Sequence, residues 1–207
     1  SCSHRKQASI HKITKFVKQS YAGPLLKKEI EAINLVIRDK KKPVTCIIGG
    51  SKISTKINVI TNLIKNIDNL IIVGAMANNF LTFKGYSIGA SLVEDNTKEI
   101  IQKIYIDADK ENCKILIPID CKVATDFNKD GINKKLDDIK KNEMILDIGP
   151  NTIKNIINEI DISNTVLWNG PAGYFENENF KNGTMEIAKK ISYNTKNKSL
   201  ISIIGGG

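Results

Sequence analysis

The sequence predicts an α/β protein with a parallel sheet covered by helices on both faces, in three layers. Short apolar runs of strand length recur along the 207 residues, end at glycine or another small residue, and are followed by stretches with helical spacing. Most runs are continuously apolar, as in strands buried on both faces. The chain starts without methionine and stops after an apolar run and three glycines, so we expect the fold to be incomplete at both ends.

The expected elements follow in order along the chain. After a polar, basic start, apolar residues recur at helical spacing over residues 22–37, and Pro43 prevents that helix from continuing. Strands are then expected at "VTCIIGG", "LIIVGAMA", "CKILIPID", "TVLWNGPAG" and "SLISIIGGG", with further strands at "CKVATDF" and "EMILDIG". Helices are expected at residues 51–65, 76–84, 97–112 and 179–192. The glycine-bearing loops then gather at the carboxyl ends of the strands, where open α/β sheets bind ligands.

Composition limits the classes of function. No apolar stretch is long enough for a membrane helix. The net charge is +9, but the lysines are scattered along the chain, so we favour a solvated lysine-rich surface over a nucleic-acid-binding face. The four cysteines form no C-x-x-C pair and the chain has only two histidines, so no metal site is predicted. Reduced thiols in a cytoplasmic protein fit this pattern.

The segment "CIIGGSKISTK", residues 46–56, is the first candidate for a ligand site. An apolar run ends at Gly49 and Gly50, and Lys52 and Lys56 follow where a helix is expected to begin. Glycines let backbone N–H groups approach a ligand, and a helix N-terminus disfavours cations unless an anion binds there. The segment matches neither G-x-x-x-x-G-K-[ST] nor G-x-G-x-x-G. Two interpretations stay open: a phosphate site with two lysines on one helix flank, or surface lysines of an amphipathic helix.

The segment "LWNGPAGYFE" is the second candidate. It contains Trp168, the only tryptophan, and an Asn-Gly-Pro sequence at residues 169–171 that favours a tight turn directly after a buried strand. Gly173 keeps the loop thin, and Glu176 is a candidate acceptor for ribose hydroxyls. The alternative interpretation is a rigid strand-to-helix corner with a capping carboxylate.

Eight short segments together resemble a known family. They are "HRKQAS", "GPLLKKEIEAI", "IIGGSKISTKINVI", "GYSIGASLVED", "LDIGP", "LWNGPAGYFE", "KNGT" and "IIGGG". In this order they resemble the phosphoglycerate kinases, and "GGSKISTK" and "WNGPAGYFE" are highly specific to that family. The resemblance implies a monomeric, cytoplasmic enzyme of glycolysis and gluconeogenesis with Rossmann-like lobes. It would transfer a phosphoryl group between 1,3-bisphosphoglycerate and ADP, giving 3-phosphoglycerate and ATP, with Mg bound as MgADP or MgATP and no nucleic-acid or membrane partner.

The resemblance also implies a division of the chain. Residues 1–21 correspond to the tail of the N-terminal substrate lobe, residues 22–39 to the helix that connects the lobes, and residues 40–207 to a truncated nucleotide-binding lobe. The Asp that the family links to the metal lies beyond Gly207, so no metal ligand is expected in this chain. We expect the 207 residues alone to be inactive, because closure needs both lobes.

Individual roles follow from the resemblance as expectations. Lys56 is expected to contact the transferring phosphoryl group, and Lys52 is expected to act as a second catalytic lysine over the nucleotide phosphates. Arg5 is expected to bind the phosphate of phosphoglycerate. Besides the two lysines, the expected nucleotide-binding residues are Gly49, Gly50, Ser51, Gly74, Asn169, Pro171, Gly173, Tyr174, Glu176, Gly206 and Gly207.

Some positions depart from the family. Val73 and Ala75 flank Gly74 where the family usually has a glycine triplet, and Tyr174 stands where it often has a small aliphatic residue. These side chains are expected to narrow the adenine pocket. Two other functions remain as alternatives: a nucleotide-binding module of another α/β kinase or a dehydrogenase, and, less favoured, a non-enzymatic nucleic-acid binder.

Overall fold

The computed structural model describes residues 7–38 and 41–205. These residues fall into two compact units, which divide between Lys40 and Lys41. In the first unit, two short helical turns, Ala8–Lys12 and Ile13–Lys15, precede helix α1, Pro24–Arg38. The helix predicted over residues 22–37 is therefore confirmed.

Within residues 41–205, the second unit contains eight strands and five α-helices. In chain order they are β1 (Val44–Ile48), α2 (Ile57–Ile64), β2 (Asn69–Ile72), α3 (Ala75–Phe83), α4 (Lys98–Lys110), β3 (Lys114–Leu116), β4 (Asp120–Ala124), β5 (Ile132–Lys135), β6 (Met144–Ile148), α5 (Pro150–Ile162), β7 (Thr165–Asn169), α6 (Asn182–Asn197) and β8 (Ile201–Gly205). Five of the strands form a parallel sheet in the order β3-β2-β1-β7-β8.

Helices cover both faces of the parallel sheet. On the central strand β1, Cys46 and Ile48 pack into an apolar cluster with residues of α2, α3 and α4. Ile47, between them, packs into a second cluster with residues of α5 and α6. Successive side chains of a strand point to opposite faces, so the sheet is buried from both sides. The predicted three-layer α/β arrangement is confirmed.

Three strands lie outside the parallel sheet. The strands expected at "CKVATDF" and "EMILDIG" exist as β4 and β6, but they pair antiparallel in a separate sheet of order β5-β4-β6. Neither β5 nor α5 is among the predicted elements. Strand β5, with the sequence "INKK", has no buried residue, so it lacks the apolar run by which the other strands are recognised.

Helix α2 begins later than predicted. The sequence predicts a helix over residues 51–65, whereas α2 spans Ile57–Ile64 with Lys56 as its N-cap residue. In the preceding loop the Thr55 hydroxyl donates to the Lys52 carbonyl at 2.9 Å, and Ser54 is bound through its amide and hydroxyl to the Glu94 carboxylate. Such side-chain contacts compete with helical hydrogen bonds. The expectation that the two lysines share one helix flank is therefore wrong.

The remaining predicted helices are present with small shifts at their ends. Helices α3 and α4 lie within two residues of the expected bounds. Helix α6 starts at Asn182, because residues 178–180 form a separate short turn, and it continues to Asn197. Among residues 7–38 and 41–205, none of the helices combines the length and the apolar character that a membrane span requires.

Candidate functional site

Three glycine-bearing loops meet at the carboxyl ends of β1, β2 and β7. The amide of Gly49 donates to the Asn169 carbonyl at 2.7 Å, which joins the loops after β1 and β7. The amide of Gly74 donates to the Ala172 carbonyl at 3.1 Å, which joins the loops after β2 and β7. Predicted site residues that are far apart in the sequence therefore lie side by side at one edge of the sheet.

The loops after β1 and β7 approach so closely that they require glycine. A Cβ atom on Gly49 would lie 2.1 Å from the Pro171 carbonyl oxygen. A Cβ atom on Gly170 would lie 2.7 Å from the carbonyl carbon of Gly49, and Gly170 also has a φ of +86°. Lack of space therefore requires glycine at both positions, and at Gly170 the positive φ favours it as well. The result is a thin surface of backbone beside the sheet.

Lys56 connects two of these loops through its amino group. Its Nζ donates to the Gly49 carbonyl at 2.9 Å and to Asn169 Oδ1 at 2.8 Å. An ammonium group has three N–H donors, so the contacts among the described residues leave a third for a bound anion. The amino group is half-buried, and burial lowers the pKa of Lys56 below its ordinary value.

Of the other two predicted cations, Lys52 and Arg5, the structure describes only Lys52. Lys52 is exposed on the loop after β1, near the Glu94 carboxylate, and Ser51 beside it is also exposed. Arg5, Gly206 and Gly207 lie outside the residues that the structure describes.

A cleft of about 560 Å³ opens beside the glycine loops. Its lining includes seven of the predicted nucleotide-binding residues: Gly50, Ser51, Gly74, Pro171, Gly173, Tyr174 and Glu176. The rings of Tyr174 and Phe127 meet edge to face in this lining, with centroids 5.4 Å apart. Apolar side chains and a pair of aromatic rings suit a flat heterocyclic ligand.

Sequence reasoning misses several residues of this lining. Leu92 and Leu146 lie in "GYSIGASLVED" and "LDIGP", two of the segments that carry the family resemblance. That resemblance is the signal by which the two leucines could have been predicted. Phe127 carries no such signal, because it lies in an irregular loop after β4. Of the residues expected to narrow the cleft, Ala75 and Tyr174 line it. Val73 is instead buried in the cluster beneath α5 and α6.

A second cavity of about 580 Å³ adjoins the first on the side of β8. Asn169, Gly170 and Gly205 line it, and Pro171 and Glu176 line both cavities. The Asn-Gly-Pro turn is held by the Trp168 indole N–H, which donates to the Gly170 carbonyl at 2.7 Å. The Asn-Gly-Pro turn therefore places Pro171 between the two cavities, and Glu176, further along the same loop, also lines both.

Comparison with known proteins identifies the family. The profile described as phosphoglycerate kinase matches residues 1–207. The chain belongs to the phosphoglycerate kinase family. The phosphoglycerate kinase of Wolbachia pipientis subsp. Culex pipiens (strain wPip) is 44% identical over 208 residues, which cover 100% of this chain and 52% of that protein. The phosphoglycerate kinase of Coxiella burnetii (strain RSA 493 / Nine Mile phase I) is 38% identical over 207 residues, which cover 99% of this chain and 52% of that protein.

Solved phosphoglycerate kinase structures share the fold described above. The enzyme from Coxiella burnetii superposes with a TM-score of 0.86 at 38% identity, over 99% of this chain and 52% of that one. The enzyme from Pyrococcus horikoshii OT3 superposes with a TM-score of 0.80 at 26% identity, over 100% of this chain and 52% of that one. The chain thus spans about half the length of the phosphoglycerate kinases that it matches.

Proposed function

We propose that this chain is part of an enzyme that transfers a phosphoryl group between 1,3-bisphosphoglycerate and ADP. The products are 3-phosphoglycerate and ATP, in the reversible step of glycolysis and gluconeogenesis. Membership of the phosphoglycerate kinase family supports the reaction. The geometric support is the Lys56 amino group, which donates to the carbonyl of Gly49, the residue before Gly50 in the lining of the cleft.

The geometry suits the requirements of phosphoryl transfer. We propose that the adenine enters the cleft beside Tyr174 and that the phosphates lie over the loops of Gly49 and Gly74. The third N–H of Lys56 then donates to an oxygen of the transferring group, and Lys52 adds positive charge from the exposed loop. Such a reaction needs positioning and charge stabilisation, with little covalent participation by the protein. No nucleophilic serine or cysteine is required.

Further parts of the proposal rest on the family resemblance. They are the substrate-lobe tail at residues 1–21, the connecting helix at 22–39, the nucleotide lobe at 40–207, and the roles of Arg5, Gly206 and Gly207. Magnesium enters as part of the nucleotide substrate. We also propose a monomeric, cytoplasmic enzyme.

Replacing Lys56 by methionine tests the proposal. Lys56→Met keeps most of the apolar stem and removes the charge, so we expect kcat of the full-length protein to fall about 100-fold, as for the loss of one group that stabilises transition-state charge. Steady-state kinetics of ATP formation provides the measurement. Lys65→Met is the matched control, because Lys65 is the exposed C-cap residue of the same helix. Equal turnover of Lys56→Met and wild type would refute the role of Lys56.

A calorimetric titration separates the alternatives. We expect MgADP to bind the full-length protein more tightly than NAD, because the loops contain no G-x-G-x-x-G sequence. Tighter binding of NAD would favour a dehydrogenase-like module. Strongly salt-dependent binding to nucleic acid, with no heat from MgADP, would favour the third alternative.

A further inference from the structure

The loop that carries both lysines has little regular structure of its own. This lysine loop, residues 51–56, connects β1 to α2. Ile53 is completely buried in the apolar cluster, but Lys52, Ser54 and Thr55 are exposed. The position of the two lysines therefore depends on contacts at the exposed backbone as well as on Ile53.

Glu94 supplies such a contact from another part of the chain. It lies between α3 and α4, and its carboxylate accepts hydrogen bonds from the Ser54 amide, at 3.2 Å, and from the Ser54 hydroxyl. These hydrogen bonds lower the pKa of Glu94, the hydroxyl being the largest cause, so the carboxylate binds the loop in its ionised form. Hydrogen bonds to a charged group are among the stronger ones in proteins.

Glu94 is itself fixed by a buried residue. Its backbone amide donates to Asn79 Oδ1 at 2.9 Å, and Asn79 is buried within α3. Two residues earlier, Leu92 lines the cleft beside the glycine loops, and its carbonyl accepts from Asn78 Nδ2 at 2.9 Å. One short segment therefore touches the cleft at Leu92 and the lysine loop at Glu94.

The negative charge of Glu94 argues against a direct role of this residue in binding the nucleotide phosphates. A carboxylate close to Lys52 repels a nucleotide phosphate and by simple electrostatics weakens its binding. We propose that Glu94 is a positioning residue that holds the lysine loop through Ser54, so that Lys52 and Lys56 face the nucleotide phosphates. This inference rests on the proposed function. It adds that the segment lining the cleft also sets the geometry of the phosphate contacts.

Two variants of the full-length protein test the role of Glu94. A positioning role and simple charge repulsion predict opposite changes in MgADP binding when Glu94 loses its charge. Glu94→Gln removes the charge and keeps the size, and Ser54→Ala removes the hydroxyl that donates to it. If Glu94 positions the loop, each variant weakens MgADP binding about tenfold, as for the loss of one hydrogen bond to a charged group. The double variant is no weaker than Glu94→Gln alone, because the hydroxyl contact that Ser54→Ala removes is part of the interaction that Glu94→Gln weakens. Tighter MgADP binding by Glu94→Gln, or no effect of Ser54→Ala, would overturn the proposal.

Asp95→Asn provides the matched control. Asp95 adjoins Glu94 and carries the same charge, but Ser54 binds Glu94. We expect this variant to leave MgADP binding unchanged or to strengthen it slightly. A tenfold loss in Asp95→Asn would mean that any charge change in this segment weakens binding, and it would contradict the specific role of Glu94.

Hydrogen–deuterium exchange gives a measurement that does not depend on the activity. In Glu94→Gln we expect faster exchange of the amides of residues 51–56 and an unchanged thermal midpoint of unfolding. Unchanged exchange in the lysine loop would refute the positioning role even in an active enzyme. A wild-type protein that fails to bind MgADP would instead refute the proposed function, whatever the exchange shows.

Discussion

At the scale of single residues, Asp147 is a buried carboxylate with backbone partners. It is 2% exposed, and it accepts hydrogen bonds from the amides of Ile148, at 2.9 Å, and Gly183, at 2.8 Å. Burial is the largest influence on it and raises its pKa to about 6, although both amides and the Lys122 charge favour the ionised form. Because Asp147 also lines the cleft, its protonation lies close to the candidate site.

This pKa predicts a pH-dependent stability. The folded protein keeps a proton on Asp147 between pH 3.8 and about 6, where the unfolded chain has lost it. The free energy of unfolding therefore falls by about 3 kcal/mol as pH rises through this interval, and then levels. In Asp147→Asn this contribution is absent, so the difference in the free energy of unfolding between the variant and wild type should change with pH. Urea unfolding between pH 4 and 7 measures it, with the exposed Asp137→Asn as control. Parallel curves for Asp147→Asn and wild type would contradict the assignment.

At the scale of elements, the start of α5 depends on a residue of another strand. Gly149 is the N-cap residue and has no side chain to accept from the helix. Asp120, the first residue of β4, accepts instead from the amides of Asn151, at 2.9 Å, and Thr152, at 2.8 Å. A Cβ atom on Gly149 would lie 2.3 Å from the carboxyl carbon of Asp120, so glycine is needed there. The "LDIGP" segment thus joins the antiparallel sheet to the helix that covers the parallel one.

Removing this carboxylate should destabilise the fold. We expect Asp120→Ala to lower the free energy of unfolding by about 2–3 kcal/mol, because two amides in the first turn of α5 lose a charged acceptor. Chemical denaturation measures the change. Asp130→Ala, at an exposed position of the following loop, serves as control and should have little effect. An Asp120→Ala midpoint equal to that of wild type would show that another group caps α5.

At the scale of the whole molecule, the described residues form two units, and the candidate nucleotide site belongs to the second. Arg5, the residue predicted to bind phosphoglycerate, lies outside the described residues. The chain also spans about half the length of its phosphoglycerate kinase relatives. The proposed reaction therefore depends on more than the candidate nucleotide site.

The 207-residue chain alone should form no ATP from 1,3-bisphosphoglycerate and ADP. The physical reason is that phosphoryl transfer needs both substrates held in line, which a family with two lobes achieves by closure. A coupled spectrophotometric assay with the full-length protein as positive control measures this. Circular dichroism of the same sample verifies that the chain is folded. Turnover by the folded chain comparable to that of the full-length protein would refute the prediction.

The amino-acid sequence by itself determined the fold class, and it predicted many of the residues that the structure brings together at the candidate site. Continuous apolar runs of strand length, such as "VTCII", are typical of strands covered on both faces, and five of the expected strands form the parallel sheet. The glycines at 49, 50, 74 and 170 stand where strands give way to loops. The apolar runs and the positions of these glycines are local patterns that can be read from a sequence, whereas the close contacts that require Gly49 and Gly170 come from distant loops.

Only the tertiary structure decided the features that arise between distant segments. Residues 51–56 form a loop instead of the helix that their spacing predicts, and Glu94 from a distant segment binds Ser54 of this loop. Strands β4 and β6 pair with β5 in a second sheet, a choice that their own apolar patterns do not specify. Phe127 joins the cleft because of its ring contact with Tyr174. Hydrogen bonds and packing between residues far apart in the chain leave no mark in local periodicity.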